Sequence, residues 1–204
     1  MYFGCDLIPN LMSEIVQYTN DDGVEITIKK EISESLPEFY FETYFENGKL
    51  ICEKQYENGE LNNVSFYTYS NDEIESILKD KKGNVFITFI YYNRSYKVTE
   101  NLAFRERSIV SKTILVQDQN QDQICFKKYE LENSELTCII TDKSFYENGA
   151  EKFAFIYNND GSCFMIDKVG AYQEDIFAWD IGTSKTDFTW DGFEYYRNAE
   201  PLIP

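Results

Sequence analysis

Histidine is absent from this chain of 204 residues. That removes the commonest general base, the usual activator of a nucleophile and the commonest metal ligand. Chemistry by paired carboxylates alone stays open. The five cysteines, Cys5, Cys52, Cys125, Cys138 and Cys163, are odd in number and never fall two residues apart. This excludes a zinc-binding pattern and makes a poor disulfide framework, so they read as reduced, mostly buried small side chains. Proline is scarce, at four residues, and no apolar run approaches the roughly 18 residues that a membrane helix needs. Met1–Ile15 has neither a basic stretch nor a long apolar one, which predicts no signal peptide. P-loop, GxGxxG, GxSxG and HExxH patterns are all missing. The acidic loop Asn20-Asp21-Asp22-Gly23 lacks the alternating ligands and closing Glu of a calcium loop and reads as a turn. No cofactor is expected.

What the chain does have is acid and aromatic rings. It carries 36 acidic against 19 basic residues, a formal net charge of −17. Such a field repels phosphates and anionic membranes and draws basic partners. Hydrophobic residues make up 43%, too many for a disordered chain, and 16 Tyr with 16 Phe favour strands. The charge is uneven. Residues 31–80 hold twelve acids and three bases, residues 81–128 nine bases and four acids, and residues 171–204 seven acids and two bases. A basic centre therefore lies between acidic flanks.

One device recurs. Phe45-Glu46-Asn47-Gly48-Lys49-Leu50 is followed, eleven residues on, by Tyr56-Glu57-Asn58-Gly59-Glu60-Leu61. Asn-Gly tolerates positive φ at both turn positions and is the strongest short hairpin signal. The stretch therefore reads as a meander with one short strand between two reversals. Asn148-Gly149 and Asp160-Gly161 repeat the pattern, with Tyr56 eight residues after Gly48 and Tyr157 eight after Gly149. A duplication and a chance recurrence of meander turns both account for this. Further strands are predicted at 24–28, 39–45, 96–98, 108–116, 124–129, 136–141, 153–157 and 163–166. Asn84–Asn93, apolar on both faces, reads as a central strand. Pro9–Tyr18 has helical spacing, and Asn71-Asp72-Glu73 caps a short helix over Ile74–Lys79. The fold class expected is mainly β: antiparallel meander sheets with Asn-Gly hairpins and one or two short helices. Residues 1–204 form one domain or two similar β halves, about 1–80 and 81–204.

The tandem Asn-Gly unit resembles the MORN-like repeats of bacterial antitoxin-repeat proteins, whose units read aromatic-x-Asn-Gly-x-Leu. It differs from them in lacking a continuous array. In composition the chain is similar to immunity proteins of bacterial polymorphic-toxin systems: small, acidic and motif-free. The resemblance implies β-hairpin units and a cytoplasmic, non-catalytic inhibitor of a basic protein toxin, such as the C-terminal domain of a secreted effector. The net charge, by repelling phosphates and anionic lipid, predicts no nucleic-acid or membrane partner. The residues themselves supply candidate contacts. Glu46, Glu53 and Glu57 sit among Tyr40, Tyr44 and Tyr56, and Trp190, Asp191 and Glu194 sit beside Tyr195 and Tyr196. These sets read as acidic, aromatic docking faces. Alternatives are a carboxylate-based glycoside hydrolase, a carbohydrate-binding module, or solvated hairpin faces and a closing core.

Overall fold

The computed structural model describes residues 15–19, 38–80, 83–170 and 174–204. Its strands are β1 (Ile15–Thr19), β2 (Phe39–Glu46), β3 (Lys49–Glu57), β4 (Glu60–Thr68), β5 (Asn84–Asn93), β6 (Tyr96–Arg105), β7 (Ser108–Gln117), β8 (Gln123–Glu132), β9 (Glu135–Glu147), β10 (Ala150–Tyr157), β11 (Cys163–Lys168) and β12 (Ile176–Phe177). The one α-helix among the described residues is α1 (Asn71–Asp80). The expectation of a mainly β, mostly antiparallel fold with a short helix holds.

The strands form a single sheet in chain order, each beside its predecessor. Asn47-Gly48, Asn58-Gly59 and Asn148-Gly149 take nearly the same backbone, with φ of 50 and 73, 52 and 79, and 54 and 75 degrees. All three join hairpin strands as the sequence predicts. Asp160-Gly161 departs. There Asn158 to Ser162 form a longer loop in which the Ser162 N–H and hydroxyl both donate to Asp160 Oδ1, at 2.9 and 2.6 Å. The second copy of the repeat thus shares its first turn and not its second.

Two expectations need correction. Residues 15–18, read as the end of a helix, pair as strand β1 with β2, Ile15 opposite Phe45 and Tyr18 opposite Glu42. Two β-branched residues, Ile15 and Val16, followed by Tyr18 and Thr19 suit a pleated surface, and a neighbouring strand outweighs a short helical spacing. The rest of that helix and the strand at 24–28 lie outside the described residues. Second, Asp191-Gly192, an Asp-Gly pair that by residue type predicts a hairpin turn, makes none: it bends an irregular segment through a bond from Phe193 N–H to Trp190 O, 2.9 Å.

Helix α1 is a crossover. It makes β4 and β5 parallel, Phe66 opposite Ile87, which a tight turn cannot do. Its apolar side, Ile74, Ile77 and Leu78, packs on Val85, Ile87, Leu102 and Phe104. Asp72 and Glu73 lie in its first turn, and the Tyr69 N–H donates to Glu73 Oε2 at 2.8 Å. At its far end Arg107 donates to the Lys79 carbonyl at 2.8 Å.

The sheet has two unlike faces. Across the front runs one row of opposed residues: Tyr91, Val98, Val116, Cys125, Lys143, Phe155, Ile166 and Ile176. All but Tyr91 are buried, five of them completely or within 1%. Residues 178–204 fold over this row, so Leu202 and Ile203 cover its centre while Phe188, Trp190, Phe193 and Tyr196 cover its β10–β11 end. The matching back row, Ile90, Thr99, Leu115, Phe126, Asp142, Ile156, Met165 and Phe177, is half-buried throughout.

Candidate functional site

The N-terminal meander divides its acids between faces. Glu42 lies opposite Lys54, and its Oε2 accepts from the hydroxyls of Tyr44 and Tyr56 at 2.8 and 3.0 Å. Lys54 donates to the Tyr44 hydroxyl at 3.1 Å and sits 4.7 Å from the centre of its ring. Tyr40 stacks on Tyr56 at 4.8 Å with planes 4° apart. Burial, and then the Glu42 carboxylate, push both the Tyr44 and Tyr56 hydroxyls above the usual phenol range. Glu42 is therefore engaged in a closed polar network. Glu53 lies between Thr43 and Ser65, and burial raises its carboxyl. Glu46 faces Lys49 at one end of the hairpin, and Glu57 faces Phe39 and Glu60 at the other, accepting from Asn62 at 3.3 Å. The three predicted contacts are thus strung along the full length of β3, roughly 26 Å.

The predicted C-terminal contacts sit at the other side of the molecule. Trp190 packs 6.3 Å from Phe155 of β10 and edge-on to Phe188 at 5.6 Å, so its ring helps to close the front row. Asp191 is exposed, and Glu194, also exposed, accepts from the Gly192 N–H at 3.2 Å. Seven strand spacings separate β3 from β10, roughly 34 Å at the ordinary spacing. The structure therefore brings Trp190, Asp191 and Glu194 together and sets the meander glutamates apart from them.

What holds the covering segment is a residue that the sequence reading passed over. Lys143, fully buried on β9, donates to the carbonyls of Tyr195, Asn198 and Pro201 at 2.9, 2.8 and 2.8 Å. Its ammonium lies 3.8 Å from the centre of the Tyr195 ring. Burial pushes it down to about 8, against the opposite pull of Cys125 and Glu200. Tyr195 donates to the Leu202 carbonyl at 2.6 Å and Tyr157 to that of Tyr196 at 2.8 Å. Beside them Lys127 pairs with Glu200 at 2.5 Å. Burial works against its charge, but the bonds to Glu200 and Tyr129 carry it up to about 12. A lysine in an apolar strand pattern gives no local hint of such a role, because its acceptors lie 52 to 58 residues away.

The remaining aromatic feature is exposed. Phe177 and Trp179 stack at 4.7 Å with planes 12° apart, and Phe164 meets both edge-on at 5.8 and 5.3 Å. Trp179 is 60% exposed. The stretch Glu174-Asp175-Ile176-Phe177-Ala178-Trp179-Asp180 carries the signal: acids around rings, with only Ile176 buried. An open groove of about 940 Å³ beside it is lined in part by Glu174, Asp175, Phe177, Asp180 and Lys185. Lys185 pairs with Asp180 at 2.7 Å.

Among the described residues, Cys52, Cys125, Cys138 and Cys163 are free thiols. No group of three or more Cys, Asp or Glu side chains among them is arranged to hold a metal ion, and no helix is long and apolar enough to cross a membrane. Compared with known proteins, the chain matches no family model, no curated protein and no solved structure.

Proposed function

We propose that this chain is a non-catalytic, acidic binding protein that neutralises a bacterial toxin in the cytoplasm by covering its active or substrate-binding surface. The observation that carries the reading is the exposed Trp179, stacked on half-buried Phe177 beside Phe164, next to a segment of seven acids and two bases. A rigid, exposed Trp on a stacked ring is the anchor that binding hot spots use, and carboxylates around it select a basic partner. Asp191 and Glu194, exposed on the same covering segment, are its proposed acidic rim, and Trp190, whose ring closes the front row, holds that segment in place. A standard interface buries about 800 Å² per partner, roughly 30 Å across, so one toxin domain seated here does not reach Glu46, Glu53 and Glu57. Those glutamates act by attraction during approach.

The test is pull-down from the native cell, followed by rescue of growth when the captured protein is co-expressed with this chain. Trp179→Ala should raise the dissociation rate and lose rescue. Glu57→Lys should slow association at low salt and matter little at 1 M, where the screening length is about 3 Å. Turnover of a glycoside, lost when exposed carboxylates are replaced, would instead establish the hydrolase alternative.

A further inference from the structure

The sheet ends on a two-residue strand, β12, and so keeps that edge short. It leaves a longer edge open in its middle. β9 is the longest strand among the described residues, with 13 residues, and pairs with β8 over its first part, from Glu135 opposite Glu132 to Lys143 opposite Cys125. On its other side β10 pairs only from Asp142 onward, Asp142 opposite Ile156. Glu135–Thr141 therefore has a strand on one side only. Among the described residues, no backbone hydrogen bond joins its outer edge to any other segment. Among the described residues, the one side-chain hydrogen bond to its backbone is from the Cys138 thiol to the Ile140 carbonyl at 3.5 Å. The edge residues Leu136, Thr137, Cys138, Ile139 and Ile140 are uncharged strand formers without Pro or Lys, the residues that ordinarily guard an edge. Leu131, Leu136 and Ile140 are 44, 37 and 43% exposed, so the hairpin presents apolar surface on both faces.

We propose that this open edge of β9 takes an extended segment of a protein partner as an added strand, and that the segment is apolar and basic. The proposal rests on the acidic-binder reading above and names a second contact for the same kind of partner. Two observations choose this occupant. Glu130, Glu132 and Glu135 crowd the hairpin tip, and among the described residues Lys128 forms the one ion pair with them, to Glu130 at 2.7 Å. A second copy of a −17 chain would be repelled by its like net charge, whereas a basic segment is drawn in. Ile139 is moreover the extra residue of a bulge, since Lys128 faces Ile140 and Tyr129 faces Cys138. A bulge bends the edge, which opposes flat pairing with a rigid sheet but not with a flexible segment.

The test titrates the isotope-labelled full chain with an alternating Lys–Val octapeptide, an alternating Glu–Val octapeptide serving as the control. Saturable amide shifts confined to residues 135–141, with slowed hydrogen exchange there, are expected from the first peptide only. Thr137→Lys with Ile140→Lys should weaken that binding by at least about tenfold while leaving the other amides in place. Unshifted edge amides, or shifts spread over every acidic patch, would overturn the proposal. Concentration-dependent shifts of the same amides without peptide would make the occupant a second copy and overturn it too. Toxin neutralisation that survives in the double variant would remove the edge from the toxin interface but leave the neutralisation reading intact. Peptide binding at the edge by a chain that rescues no cell would do the reverse.

Discussion

The Asn47-Gly48 and Asn148-Gly149 hairpins share a backbone and an aromatic-Glu lead-in, but not the chemistry behind them. Behind the first, Tyr40, Glu42, Tyr44, Lys54 and Tyr56 build a half-buried network of hydroxyls and one carboxylate. Behind the second, Phe145, Phe153 and Phe155 join Phe188, Phe193 and Tyr196 in ring-on-ring packing, with Phe155 and Tyr196 stacked at 4.4 Å. One region is held by a few directional bonds near solvent, the other by apolar burial beneath a cover. The repeated motif therefore specifies the reversal of the chain and leaves the flanking faces free to take either chemistry.

That contrast predicts unequal sensitivities. Phe155→Ala should be the most damaging, costing about 3–5 kcal/mol in chemical denaturation, because a fully buried ring leaves a cavity under the cover. Lys143→Met should cost about 3 kcal/mol, since it orphans three carbonyls at about 1 kcal/mol each. The loss also has a pH signature. Lys143 sits at about 8 in the folded chain against 10.5 in the unfolded one, so the folded state releases its proton first. Its contribution thus grows as pH rises from 8 to 10.5, and the stability gap between wild type and Lys143→Met should widen across that window. A gap that narrows would mean that the carbonyls and the Tyr195 ring, not burial, dominate. In the meander, Glu42→Gln should cost only about 1–2 kcal/mol, the loss of two charge-assisted bonds at a half-solvated site. The smallest effect tests the shared part. Gly48→Ala and Gly149→Ala meet no atom within 4 Å, so each should cost only the strain of φ near +73 and +75, about 1 kcal/mol, and equally. Unequal costs would show that the two turns are not the same device.

Legibility follows the same division. The Asn-Gly turns, the strands at 39–45, 84–93 and 153–157, and the capped helix were readable because each rests on local chemistry: positive φ, alternation, or an acid at a helix start. Two other tight turns, Glu106-Arg107 and Asn133-Ser134, adopt φ of 50 and 70 degrees at both pairs without any glycine, and left no signal. The second half of β9 was missed because Asp142 and Lys143 break its apolar pattern, and Lys143 is where the long-range structure begins. The candidate surface was partly readable. Trp190 with its acids lies on the covering segment as one group, whereas Trp179, the more exposed ring, stood out only once Phe164 and Phe177 were seen against it.

The order of the sheet also sets a timetable. Because each strand pairs with the one made just before it, the sheet can assemble as the chain emerges, one hairpin at a time. Lys143 is one exception: its three acceptors arrive 52 to 58 residues later. At an ordinary rate of about 5–20 residues per second, the ammonium and the apolar row beside it wait roughly 3–12 s for their cover. During that interval the front row of the growing sheet is open to any chaperone or neighbouring nascent chain, and closure of residues 178–204 ends it.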